Sequence, residues 1–212
     1  MGRKICDLTN ELYRTFDILN EHYFDSSLKE PIITIQKEKP YICGHFISPE
    51  IWSDINSDEQ YFEININPIN LDRKIEDIIA TLLHEMCHYF NYVNGINDTN
   101  GNKHNKKFKK LAESVDLIVD EDNYAITDPS DTLKSFISNT IVPNADAYSI
   151  FMDLQLDETD KKKKPRKKTQ FKYICPKCGM VAKAKAELNI VCGACSVELE
   201  MEEQDEVDEY ED

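Results

Sequence analysis

The chain has 212 residues, a hydrophobic fraction of 41% and a formal net charge of −15, enough for one domain of ordinary size with its own core plus a small module. It has no run of about 18 apolar residues to span a membrane, and no apolar stretch follows the polar start from Met1 to Asp7 to act as a signal peptide, so an intracellular protein without a membrane partner is expected. Seven cysteines fit that compartment: Cys6, Cys43 and Cys87 are scattered singles, and the other four have the spacing of metal ligands, not of a disulfide framework.

Asp7 or Thr9 opens a first helix in which Leu8, Leu12, Phe16, Leu19 and Tyr23 recur at helical spacing and face a core. Three β-like runs follow, at 32–36, 42–47 and 61–66, separated by turn signals at Lys39-Pro40 and from Ser53 to Ser57. An edge strand of such a sheet can bind an extended substrate chain by strand addition. His45, in a strand beside Gly44, has two readings, an approach to the functional site and a satisfied structural histidine, of which the second is preferred; Trp52 reads as an anchor for the loop between strands.

The next stretch runs Thr81-Leu82-Leu83-His84-Glu85-Met86-Cys87-His88. Apolar residues at Ile75, Ile78, Ile79, Leu82, Leu83 and Met86 predict a helix with one face in the core. On it His84 and His88 stand one turn and about 40° apart, so both imidazoles reach one metal ion. Glu85 flanks that ion and faces a water, which is the division of labour in a zinc hydrolase: neutral nitrogens hold the metal and a nearby carboxylate takes a proton. Cys87 reads as a packed residue. Asn94-Gly95 ends the helix, a polar loop follows from Asn97 to Asn102, and Phe108, Leu111, Ala112 and Val115 predict a second amphipathic helix. Two residues compete for the third ligand, His104 at the start of that helix and Glu113 later on it; His104 is preferred. The metzincin spacing is absent, because Asn91 and Asn94 stand where its Gly and third His would be.

Beyond Val115, Ser130 can cap a short helix through Leu133, Phe136 and Ile137, and residues 148–152 read equally as strand or helix. The run Lys161, Lys162, Lys163, Lys164, Pro165, Arg166, Lys167, Lys168 is an exposed linker by its charge density. Cys175, Cys178, Cys192 and Cys195 then form two CxxC pairs with 13 residues between the inner cysteines. Four thiolates at that spacing make a closed, structural zinc site with a β-hairpin joining two knuckles. Residues 161–190 hold 11 Lys and Arg against Glu187 alone, whereas 191–212 hold ten Asp and Glu and no base. Nucleic acid should therefore meet the linker and ribbon, with Lys183 and Lys185 on one face of a strand, and not the acidic body as a whole, where Lys103, Lys106, Lys107 and Lys110 on the second helix are a local exception near the metal motif. The bland alternatives are a solvated face or, in a eukaryote, a nuclear import signal. The acidic tail is either a solubilising segment or a competitor for the lysine patch.

The motif His84-Glu85-x-x-His88, a loop and His104-x-x-x-Phe108 resembles the SprT-like family, which includes the Spartan DNA–protein crosslink proteases. The likeness extends to Leu19-Asn20-Glu21-His22-Tyr23-Phe24, to Phe62-Glu63-Ile64-Asn65-Ile66-Asn67 and to the four-cysteine module. Where that family often has Gly after the third His, this chain has Asn105. The resemblance implies a protease whose substrates are proteins bound or crosslinked to DNA, active in DNA repair, and located in the cytoplasm with the nucleoid or in the nucleus.

The expected architecture is α+β: a zincin-like metalloprotease domain of helices and a small sheet over 1–157, a basic linker over 158–170, a zinc ribbon over 171–199 and an acidic tail over 200–212. It would carry one catalytic Zn²⁺ on His84, His88 and His104 with Glu85 as general base, and one structural Zn²⁺ on the four cysteines. The rival class is a non-proteolytic nucleic-acid-binding or transcription-associated protein whose histidine site is purely structural.

Overall fold

In a computed structural model the chain is described over residues 5–101, 103–120, 127–153, 171–185 and 187–201. The first helix, α1 (Ile5–Phe24), forms as its periodicity predicts: Leu8, Leu12, Phe16 and Leu19 are fully buried, and Phe24 closes the stripe. Removing one such side chain, as in Phe16→Ala, costs about 3–5 kcal/mol through lost burial and the cavity left behind. Three strands follow: β1 (Ile32–Thr34), β2 (Gly44–Ser53) and β3 (Gln60–Ile66). Their order is β1-β3-β2, with β1 parallel and β2 antiparallel to β3, so β2 is an edge strand of this sheet. The second strand runs six residues further than its sequence pattern suggests, because a register shift between Ile47 and Trp52 carries the pairing past Pro49. Trp52 therefore belongs to the strand, where its indole N–H donates to Glu63 Oε2 at 2.7 Å.

Helix α2 (Ile75–Val93) packs its buried face, from Ile78 to Met86, against α1 and the sheet. It stops at Asn94 in a Schellman motif: Ile96 N–H bonds Asn91 C=O, Gly95 N–H bonds Tyr92 C=O, and Gly95 takes φ +67°. The predicted polar loop is instead a small hairpin, β4 (Thr99–Asn100) with β5 (Lys103–His104), turning at Gly101 with φ +63°. His104 thus lies on a strand and not in a helix. Asn105 is the N-cap of α3 (Lys106–Ser114), accepting from the N–H groups of Lys107 and Phe108, which is a role Gly and Asn both fill.

The pair β6 (Leu117–Val119) and β7 (Thr127–Pro129) leads to α4 (Asp131–Phe136), capped by Ser130 Oγ accepting from Leu133 N–H as its sequence predicts, and to a π-helical turn at Ile137–Ile141. Residues 148–152 form neither strand nor helix. Ala147 and Tyr148 are buried, the Tyr148 hydroxyl lies 3.4 Å from Thr15 Oγ1, and Met152 N–H bonds Pro68 C=O, so tertiary contacts replace a repeating pattern.

The chain divides into two compact units, within Met1–Asp157 and Glu158–Asp212. The second contains β8 (Phe171–Ile174), β9 (Val181–Ala184) and β10 (Glu200–Met201) in the order β10-β8-β9, all antiparallel. The hairpin β8–β9 encloses the first cysteine knuckle and does not join the two knuckles as expected. Strand β10 extends the ribbon sheet into the segment that charge alone assigns to the tail. The lysines and arginine at 161–168 and the tail from 202 lie outside the described residues. Among the described residues no helix is long and apolar enough to cross a membrane.

Candidate metal centres and active-site cleft

Two elements bring three imidazoles together. His84 and His88 come from one face of α2, and His104 from β5, which the hairpin folds back over that face. His84 Nε2 lies 3.2 Å from His88 Nε2, and His88 Nε2 lies 2.9 Å from His104 Nε2. All three offer ligand atoms within 4.8 Å of one another. Nitrogens bound tetrahedrally at about 2.0–2.1 Å from zinc would stand about 3.3 Å apart, so the donor set fits such an ion. Glu113, the rival third ligand, instead reaches Lys109 Nζ at 3.6 Å, one turn back on α3. Below the three rings lies fully buried Phe108, whose centroid is 4.6, 4.7 and 4.2 Å from those of His84, His88 and His104. The spacing from His104 to Phe108 therefore places a floor under the site.

The outer nitrogens of His88 and His84 settle the orientation of those two rings, whereas the buried His104 Nδ1 has no partner among the described residues. His88 Nδ1 donates to Asp98 Oδ2 at 2.7 Å, leaving the Nε2 lone pair for the centre, and Asn91 Nδ2 donates to the same oxygen at 3.1 Å. Asp98 C=O also accepts from Asn105 N–H, tying this carboxylate to the hairpin that carries His104. His84 Nδ1 meets Thr127 Oγ1 of β7 at 3.1 Å. Neither Asp98 nor Thr127 stands out in the sequence: the first sits among Asn, Asp and Thr residues of a polar loop, and the second is 43 residues from its partner. Burial, reinforced by the neighbouring imidazoles, holds His84 well below the usual histidine range. Burial likewise brings His104 down to about 4, with the His88 charge adding to it. Both are thus neutral at pH 7, as metal ligands must be. For His88, burial opposes the charged form, but the Asp98 hydrogen bond and the Glu85 charge outweigh it and raise the pKa. Burial also opposes the Asp98 carboxylate, and the His88 bond overcomes it, so this group is lowered.

Glu85 is 5% exposed. Its Oε2 accepts from Phe46 N–H at 2.8 Å, while Oε1 has no hydrogen-bond donor among the described residues. Burial raises its pKa, partly offset by the charges of His88 and His45 and by the Phe46 bond. Cys87 is fully buried, and burial pushes its thiol well up, so it is a packed residue.

A cleft of about 780 Å³ opens over these groups. Its floor is α2, one wall is β2 from Gly44 to Ser48, and the other is the segment from Gly95 to His104. His45 lines this cleft. It is exposed, no hydrogen bond holds either ring nitrogen among the described residues, and its charge acts on Glu85. The structural reading of His45 is therefore corrected: a strand at the sheet edge leaves its side chain at the mouth of the site. Lys103, Lys106, Lys107 and Lys110 are exposed beside β5 and along α3.

The second centre joins Cys175, Cys178, Cys192 and Cys195, whose sulfurs also lie within 4.8 Å of one another. Cys178 Sγ and Cys192 Sγ are 3.6 Å apart, against about 3.8 Å for thiolates 2.3 Å from a tetrahedral zinc. The two knuckles repeat the same bonds. Cys175 N–H bonds Met180 C=O and Gly179 N–H bonds Cys175 C=O; Cys192 N–H bonds Val197 C=O and Ser196 N–H bonds Cys192 C=O. Gly179 and Ser196 occupy matching left-handed positions at φ +71° and +53°. The N–H groups of Cys178 and Lys177 point at the Cys175 sulfur and outweigh the effect of burial, bringing that thiol down to about 7. On the ribbon sheet, Lys183 pairs with Lys172 across β8–β9, and Lys183 and Lys185 are exposed on one face.

The sequence model of the SprT-like family matches residues 12–128, from α1 to β7, a span that includes every residue of the histidine site. No match is found among curated proteins.

Proposed function

The chain belongs to the SprT-like family, a family of zinc-metalloprotease type, and on that footing we propose that it is a zinc endopeptidase of zincin-like plan that cleaves proteins bound or crosslinked to DNA. His84, His88 and His104 would hold the metal, with Asp98 and Thr127 orienting two of the rings. A bound zinc ion supplies Lewis acidity that activates water and polarises the scissile carbonyl. Glu85, with Oε2 held by Phe46 N–H and Oε1 free of protein donors, takes the water proton and passes it to the leaving amine. Its burial favours the first of these steps, because a carboxylate whose pKa is raised is a stronger base toward the water proton than a solvated one. The edge strand β2 would hold an extended substrate segment along the cleft wall. Lys183 and Lys185, with the lysine run at 161–168, would bind DNA and bring the enzyme to its substrates.

The observation that carries this reading is the buried carboxylate of Glu85 lining the same open cleft as the three converging imidazoles. A purely structural zinc site, as in a non-proteolytic nucleic-acid-binding protein, has no use for either feature. The test is cleavage of a DNA-bound protein, with and without DNA, by the native chain and by Glu85→Gln. Native protein should cleave and be stimulated by DNA. The variant should keep both zinc ions by elemental analysis and lose cleavage by at least about 100-fold, the scale of a removed general base. Equal cleavage by both proteins would refute the assignment.

A further inference from the structure

Gly44, the first residue of β2, lies against α2 where no side chain fits. A Cβ added there would stand 2.9 Å from Thr81 Cγ2 and 3.0 Å from both Cγ and Oε1 of Glu85, well inside the 3.5–4.0 Å or so of favourable carbon contact. Gly44 is not among the residues with positive φ, so space and not backbone conformation demands glycine. Thr81 cannot easily retreat, because its Oγ1 accepts from Arg73 Nη2 at 3.0 Å and donates to Asp77 C=O at 2.9 Å. Thr81 and Glu85 are one turn apart on α2 and both face the strand. Two residues beyond Gly44, the Phe46 N–H turns away from β3 to hold Glu85 Oε2. The Glu85 carboxylate is therefore gripped at one oxygen and bounded at the other by a bare backbone.

We propose that Gly44 and the Phe46 N–H together form a seat that fixes the rotamer of Glu85, making Gly44 a positioning residue that acts through the general base. A side chain at position 44 would push the Glu85 carboxylate out of line while leaving the three imidazoles in place. This inference rests on the protease reading for its catalytic consequence alone; the steric coupling between Gly44 and Glu85 exists whatever the site does.

The experiment is a double-mutant cycle on the full zinc-loaded chain: native, Gly44→Ala, Glu85→Ala and the double variant, with Tm, zinc content and turnover of a DNA-bound protein measured for each. Gly44→Ala should lower Tm in the native background and lower it clearly less once Glu85 has been truncated, with two zinc ions retained throughout. Its kcat should fall about 10- to 100-fold, the cost of a catalytic group displaced by about 1 Å, with KM unchanged. Should Gly44→Ala not fold, Gly44→Ala/Thr81→Ser removes the contact with Cγ2, keeps the contact with Glu85, and enters the same cycle against Thr81→Ser. Equal Tm losses with and without the Glu85 side chain, or full kcat in Gly44→Ala, would overturn the proposal. Coupling in Tm from a chain that cleaves nothing even in its native form upholds the seat and counts against the protease reading instead.

Discussion

The two centres contrast in what surrounds them. The histidine centre sits on a unit whose core, among the described residues, contains 29 buried apolar side chains, whereas the ribbon core has four, two of them the ligands Cys175 and Cys192. One site is built on a folded scaffold; the other replaces the scaffold. The number of candidate protein ligands follows the same division. Four thiolates would fill every position of a tetrahedral zinc, while three imidazoles that line an open cleft with Glu85 would leave one position to be filled from outside the protein. A metal that only holds a fold needs every position filled by protein, and a metal that takes part in chemistry needs a rigid support that does not depend on it.

Metal removal should break this symmetry most visibly. With a strong chelator the ribbon should lose its dispersed amide signals entirely, since too few apolar groups remain to order it, while the body keeps its helical signal and a cooperative thermal transition. Cys192→Ser should do the same to the ribbon without chelator. A body that melts together with the ribbon on chelation would show that both centres are structural.

Ligand identity sharpens the contrast next. His104→Ala should reduce zinc from two ions per chain to one and abolish cleavage, and Glu113→Ala should change neither quantity, because its carboxylate is turned toward Lys109. Elemental analysis reads this directly; one zinc in Glu113→Ala with two in His104→Ala would reverse the assignment.

The smallest expected effect belongs to the supporting shell. Asp98→Asn keeps the size of the side chain but weakens the bond that orients His88, so zinc affinity of the body should fall about 10- to 100-fold. Competition against a chromophoric chelator measures it, with the ribbon zinc unchanged as the internal control. An unaltered affinity would mean that Asn91 and the hairpin orient His88 without this carboxylate.

Much of the site is legible in the sequence because its grammar is local. His84, Glu85 and His88 fall within five consecutive residues, and helical geometry alone brings both imidazoles to one point. The cysteine pairs are equally local, each knuckle closing its own turn through backbone bonds between residues four or five apart. The apolar repeats of α1 and α2 and the Ser130 cap are read correctly for the same reason: side chains a turn apart meet wherever the helix lies. The hairpin around Gly101 is harder to foresee, since its strands are two residues each, too short for any periodicity.

What the sequence leaves open is every relation across long separations. The choice of His104 over Glu113 depends on the hairpin folding back over α2. Asp98 and Thr127 are ordinary polar residues until packing sets one beside His88 and the other beside His84. His45 gains a place in the cleft only because β2 lies at the sheet edge, and the need for glycine at position 44 arises only because α2 presses Thr81 and Glu85 against that strand. Residue type and spacing specify which groups have the chemistry to bind zinc, because ligand strength and helical pitch are properties of short segments. Which of them converge, which nitrogen is left free and which carboxylate oxygen stays open are decided by the packing of helix, sheet and hairpin, since only close approach between distant segments imposes those orientations.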